Sequence, residues 1–140
     1  STLAGLDQAD EILVMLAPEL ASVMNASTTL ELFETLEYPK DKVRLALNYT
    51  TERHDLVRNG IEDALRRPMN VIIPFASEMV TKAINQGKPP VLDNPTSELG
   101  ALFEDLAFFA SQAEHRNKRP ESPSPAWTRV ATRLQQRKKK

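Results

Sequence analysis

The stretch Val43-Arg44-Leu45-Ala46-Leu47-Asn48-Tyr49-Thr50 constrains the fold most. It is a short apolar run with one Arg near its start and a polar end. Pro39-Lys40-Asp41 precedes it and Thr-Thr-Glu follows. A run this short between polar borders predicts a strand covered on both faces, the signature of a parallel sheet. Asn48 stands where the strand gives way to a loop. In open parallel sheets ligands bind just outside the carboxyl ends of the strands. A side-chain amide there donates and accepts at once, which suits the edge of a nucleobase. The plainer alternative is that Asn48 only stops the strand.

The neighbouring segments extend the pattern. Residues 12–17 form a nearly continuous apolar run ended by Pro18, read as a buried parallel strand. Residues 20–37 carry Val23, Ser27, Leu30, Phe33 and Leu36 at helical spacing, and Tyr38-Pro39 closes them. Residues 51–58 are polar and unassigned. Asn59 is placed to cap a short helix through Arg66, and Pro68 breaks the chain. Residues 69–73 read as a third strand ended by Pro74. A helix over 77–86 shows Val80, Ala83 and Ile84 on one face, with Gly87 as its stop. Lys88-Pro89-Pro90 reads as a stiff connector. Residues 97–113 predict a helix burying Leu99, Leu102, Phe103, Leu106 and Phe109. Ser1 to Leu6 read as a frayed start. Strands alternating with helices predict an α/β fold of three layers on a mostly parallel sheet. Its strand ends, at Pro18-Glu19, Asn48 and Pro74-Phe75, then share one edge.

Charge divides the chain. Residues 1–113 hold 9 Lys/Arg and 17 Asp/Glu, a net of -8; residues 114–140 hold 9 and 2, a net of +7. An acidic body at 1–113 is therefore expected, followed by a Pro-rich linker and basic tail at 114–140. Within the tail, Trp127, Val130, Ala131 and Leu134 fit one face of a helix, with Arg129, Arg133, Arg137 and Lys138–Lys140 around and after them. Such a helix reads as a binder of anionic membrane or nucleic acid; the alternative is a disordered basic appendage.

Other chemistry is thin. Cys is absent, so thiolate metal sites and disulfides are excluded. The start lacks the basic region of a secretory signal, and a cytoplasmic location is expected. The four glycines are too scattered to cradle phosphate. His54 and His115 lie alone in polar contexts and read as surface histidines. The pairs Glu62-Asp63 and Glu104-Asp105 are adjacent on helices, do not face each other, and read as solvated.

Four pieces in order carry a resemblance: Leu16-Ala17-Pro18-Glu19-Leu20-Ala21-Ser22, Val43-Arg44-Leu45-Ala46-Leu47-Asn48, Ile73-Pro74, and Ala83-Ile84-Asn85-Gln86-Gly87-Lys88-Pro89. Together they resemble the C-terminal half of MinD/ParA-type P-loop ATPases, most of all the CpaE-like ATPases of pilus assembly, over about residues 7–113. The resemblance implies an ATP- and Mg²⁺-dependent homodimeric switch, cytoplasmic or peripheral to the inner membrane. It implies that Asn48 contacts adenine, that Pro74 and Phe75 line the base pocket, and that Glu19 lies near the dimer face. The phosphate loop, its lysine and the magnesium ligands belong to the family's N-terminal half, so this chain alone is expected to be inactive. Where the family has polar residues after Ile-Pro, this chain has Phe75 and Ala76, whose ring can stack on a base. The competing class is a non-catalytic scaffold built on the same fold.

Overall fold

A computed structural model describes residues 2–139, with the backbone alone for Thr2. Ser1, part of the expected frayed start, and Lys140, the last of the basic run, lie outside the described residues. By compactness the chain forms two units, Ser1–Phe75 and Ala76–Lys140.

The first unit contains helix α1 (Thr2–Gln8), strand β1 (Ile12–Leu16), helix α2 (Leu20–Thr35), strand β2 (Val43–Asn48), helix α3 (Arg58–Leu65) and strand β3 (Val71–Ile73). The three strands form one parallel sheet in the order β1-β2-β3. Its fold is thus α/β, a parallel sheet flanked by helices, as the sequence pattern predicts. Register pairs Ile12 with Val43, Val14 with Leu45 and Leu16 with Leu47. Side chains alternate along a strand, so these residues share one face. That face packs against Val23, Ala26, Leu30 and Phe33 of α2 and Ile61 and Leu65 of α3. Leu45, Ala46 and Leu47 are fully enclosed. The strand expected to be buried over 12–17 is covered on one face alone: Leu13 and Met15, on the opposite face of this edge strand, remain exposed.

Several local expectations are corrected here. The start is not frayed: residues 2–8 are helical, and Leu6 and Ala9 pack against the core. The Asp7 carboxylate accepts from the Tyr38 hydroxyl, and its carbonyl accepts from Lys42 Nζ at 3.2 Å. Ala26, not Ser27, joins the buried stripe of α2, and Leu36 lies beyond it, exposed. Asn59 does not cap α3, which begins one residue earlier after Val57 without a side-chain cap. Glu62 is not a solvated carboxylate. It accepts from the Met69 N–H at 2.7 Å and from Arg58 Nε at 2.9 Å. The Met69 N–H, then Arg58, hold it below its ordinary pKa.

The second unit contains α4 (Ser77–Gln86), α5 (Pro90–Asp93), α6 (Glu98–Ala110), α7 (Ala113–Asn117) and α8 (Pro125–Lys138). Gly87 ends α4 with φ 64°, a left-handed conformation that glycine adopts without strain. The predicted face of α4 is not buried: Val80 and Ile84 are exposed. Ser97 caps α6 by accepting from the Gly100 N–H at 3.1 Å. Gly100 is required there, since an added Cβ would stand 2.3 Å from the Asn94 carbonyl oxygen. Of the five apolar residues expected inside α6, only Leu99 is buried and Phe109 is exposed. The larger correction is Glu104 and Asp105. They are buried, and Arg129, Arg133 and Arg137 of α8 pair with them. The Arg129 hydrogen bond, with Arg133 adding to it, holds the Glu104 carboxyl below its ordinary pKa despite burial. The expected linker is helical at its start, where α7 covers Ala113–Asn117, and the expected basic tail is helical and packs against α6.

Candidate functional site

Because the strands are parallel, their carboxyl ends share one edge. Leu16 pairs with Leu47, and Asn48 pairs with Ile73. Asn48 therefore closes the central strand, with Ala17-Pro18-Glu19 leaving one neighbour and Pro74-Phe75 leaving the other. The Tyr49 N–H donates to the Ile73 carbonyl at 3.0 Å, so the ladder runs one residue past Asn48 and fixes its backbone. The Asn48 amide is half-buried and makes no hydrogen bond with any described residue. It makes none of the local backbone bonds by which asparagine side chains build turns. Pro74 is half-buried and Phe75 is exposed beside it in sequence. The amide, with its donor and acceptor, thus lies on the sheet edge from which the chain leaves β3 through Pro74 and Phe75.

Glu19 lies on the same edge, at the start of α2. Its backbone N–H donates to the Ala17 carbonyl at 2.8 Å, and the Ala17 N–H donates to Ser22 Oγ at 2.9 Å. This tight turn leaves the Glu19 side chain exposed, with no cap bond and no ion pair among the described residues.

Two asparagines at the sheet behave differently. Asn70, just before β3, accepts from the Leu45 N–H at 2.8 Å through Oδ1, and its own N–H donates to the Leu45 carbonyl at 2.9 Å. It extends the ladder and is structural. Arg67 braces the other end of β2, donating to the carbonyls of Lys40 and Val43, each at 2.6 Å. Sequence reasoning missed both, because their partners lie more than twenty residues away. His54 is exposed but not isolated, since its ring lies 4.5 Å from the Tyr49 ring. No cluster of three or more His, Cys, Asp or Glu among the described residues is placed to hold a metal ion.

No family model and no curated relative matches the chain. Among solved structures, it is similar to a ParA family ATPase from Chlorobium tepidum TLS, with a TM-score of 0.64 and 24% identity. The fold is ParA-like. The match covers 73% of this chain and 42% of that one, so this chain spans less than half the length of its structural neighbour. The likeness is one of fold: the three parallel strands with a shared carboxyl edge are common to both. No helix among the described residues is long and apolar enough to cross a membrane.

Proposed function

We propose that this chain is the base-binding, C-terminal half of an ATPase of the MinD/ParA group, most like the CpaE-like ATPases of pilus assembly. Asn48 reads the adenine edge, and Pro74 and Phe75 form the apolar wall of the base pocket. Glu19 faces the partner in a nucleotide-dependent homodimer. ATP phosphates and Mg²⁺ are held by the protein's own N-terminal half. The whole protein works as a dimerising switch in pilus assembly, septum placement or DNA partitioning, in the cytoplasm or at the inner membrane surface. Residues 1–113 belong to the ATPase domain, and 126–140 carry affinity for an anionic membrane or nucleic acid. With three arginines of α8 taken up by Glu104 and Asp105, that affinity falls to the lysines that follow them.

The observation that supports this reading best is the Asn48 amide, unpartnered at the carboxyl end of the central strand. In the full-length protein, Asn48→Ala should weaken binding of a labelled ATP analogue by about 1–3 kcal/mol. GTP, whose base edge presents the opposite donor and acceptor pattern, should already bind worse than ATP. Equal affinity of wild type and Asn48→Ala for the analogue would remove Asn48 from the base site.

A further inference from the structure

The second unit is closed by a polar device that the nucleotide reading does not use. Arg129, Arg133 and Arg137 recur every four residues and so form one stripe along α8. Opposite them on α6, the Glu104 and Asp105 side chains are only 5% and 8% exposed. Arg129 grips Glu104 through Nε at 3.0 Å and through Nη2. Arg133 spans the pair, reaching Glu104 at 3.0 Å and Asp105 at 2.7 Å. Arg137 reaches the second oxygen of Asp105 at 2.9 Å. All four carboxylate oxygens are engaged.

Two physical facts pull against each other. Buried carboxylates left without cations are strongly unfavourable, so α8 cannot simply leave α6. Yet the docked helix is not held equally along its length. Arg137 is 61% exposed, and the enclosed indole N–H of Trp127 has no partner among the described residues. The segment joining α7 to α8, residues 118–124, contains Pro120 and Pro123, and residues 118–122 are exposed. It is short, spanning about 23 Å when extended. A short, proline-stiffened hinge is the kind of connection that opens into exchange between copies.

We propose that α6 is a receptor for a helix with arginines at i, i+4 and i+8, and that two copies of this chain exchange α8 reciprocally. In the exchanged dimer each buried carboxylate pair receives the same three guanidinium groups, from the other copy. No ion pair is lost, and the hinge extends instead of folding back. This proposal does not depend on nucleotide binding.

Reciprocal charge reversal tests it. One variant carries Glu104→Lys with Asp105→Lys; the other carries Arg129→Glu, Arg133→Glu and Arg137→Glu. Each repels its own α8, but each supplies what the other lacks. Co-refolded in equal amounts, they should give a 1:1 complex of twice the monomer mass by light scattering. Two species that stay separate would overturn the receptor. Hinge length in the otherwise unaltered chain is the second test. Deleting Glu121 and Ser122 should raise the dimer fraction at least ten-fold at fixed concentration, and inserting six Gly/Ser residues after Arg119 should lower it at least ten-fold. Measured without nucleotide, a dimer fraction indifferent to hinge length would overturn the exchange.

Discussion

The two units of this chain solve the same problem with different chemistry. The first buries a continuous apolar layer, with Leu45 and Leu47 fully enclosed against Val23, Leu30, Phe33, Ile61 and Leu65. The second encloses few large apolar side chains, chiefly Leu99 and Val130, and places Glu104 and Asp105 where apolar residues would be expected. Apolar burial is non-directional and nearly indifferent to pH. A buried ion-pair ladder depends on geometry, on charge state and on both partners being present. The contrast teaches that the candidate edge rests on the unit held mainly by apolar burial. The basic helix belongs to the unit that holds the ion-pair ladder.

The largest expected effect tests the apolar side of that contrast. Leu45→Ala removes a side chain that is 0% exposed in the central strand, and should cost about 2–5 kcal/mol. Urea unfolding followed by circular dichroism measures it. Trp127, the only tryptophan, lies on α8 and reports on the second unit. If its emission midpoint moves as far as the dichroism midpoint, the units unfold together and the contrast is broken.

Next is the ladder. Glu104→Ala removes charge-assisted hydrogen bonds to two arginines and should cost about 1.5–3 kcal/mol. The folded Glu104 pKa lies below the ordinary 4.5, because of Arg129 first and Arg133 after burial is offset. A depressed carboxylate stabilises fully above the unfolded value and loses that contribution as pH falls through the folded one. Trp127 emission should therefore report weakening of the second unit only below about pH 4.5, the ordinary glutamate value. Glu104→Gln should flatten that acid dependence. Glu62 in the first unit is lowered in the same direction. Acid therefore weakens both units, and the sharp test is whether Glu104→Gln changes the Trp127 profile alone.

The legible parts of this fold were those written at short range. The strands at Ile12–Leu16 and Val43–Asn48 and the helix at Ser77–Gln86 follow from apolar runs, from prolines and from Gly87. The common edge that brings together Glu19, Asn48 and Pro74 followed from strand alternation with helices. What could not be read was fixed by partners far along the chain. Glu104 and Asp105 look solvated when judged on their own helix, because the arginines that cover them are 25–32 residues away. The same holds for α1, whose Asp7 is engaged by Tyr38 and Lys42 across more than thirty residues. The α4 face failed for the opposite reason. Val80 and Ile84 have the right spacing for burial, but spacing does not supply a covering partner, and both stay exposed.

The smallest effect is the most discriminating for the candidate site, because it contrasts two asparagines in one unit. Asn70 replaces a strand partner by accepting from the Leu45 N–H, so Asn70→Ala leaves a buried backbone donor unpaired and should cost about 1–3 kcal/mol. Asn48 sits at the other end of the same strand and makes no side-chain hydrogen bond among the described residues. Asn48→Ala should therefore change stability by no more than about 0.5 kcal/mol. A residue kept polar at the carboxyl edge of the central strand, with no role in holding that strand, is free to bond something outside the chain. Paired urea titrations of the two variants measure the difference. If Asn48→Ala proves as destabilising as Asn70→Ala, the amide is part of the fold, and its place in a base pocket loses its physical basis.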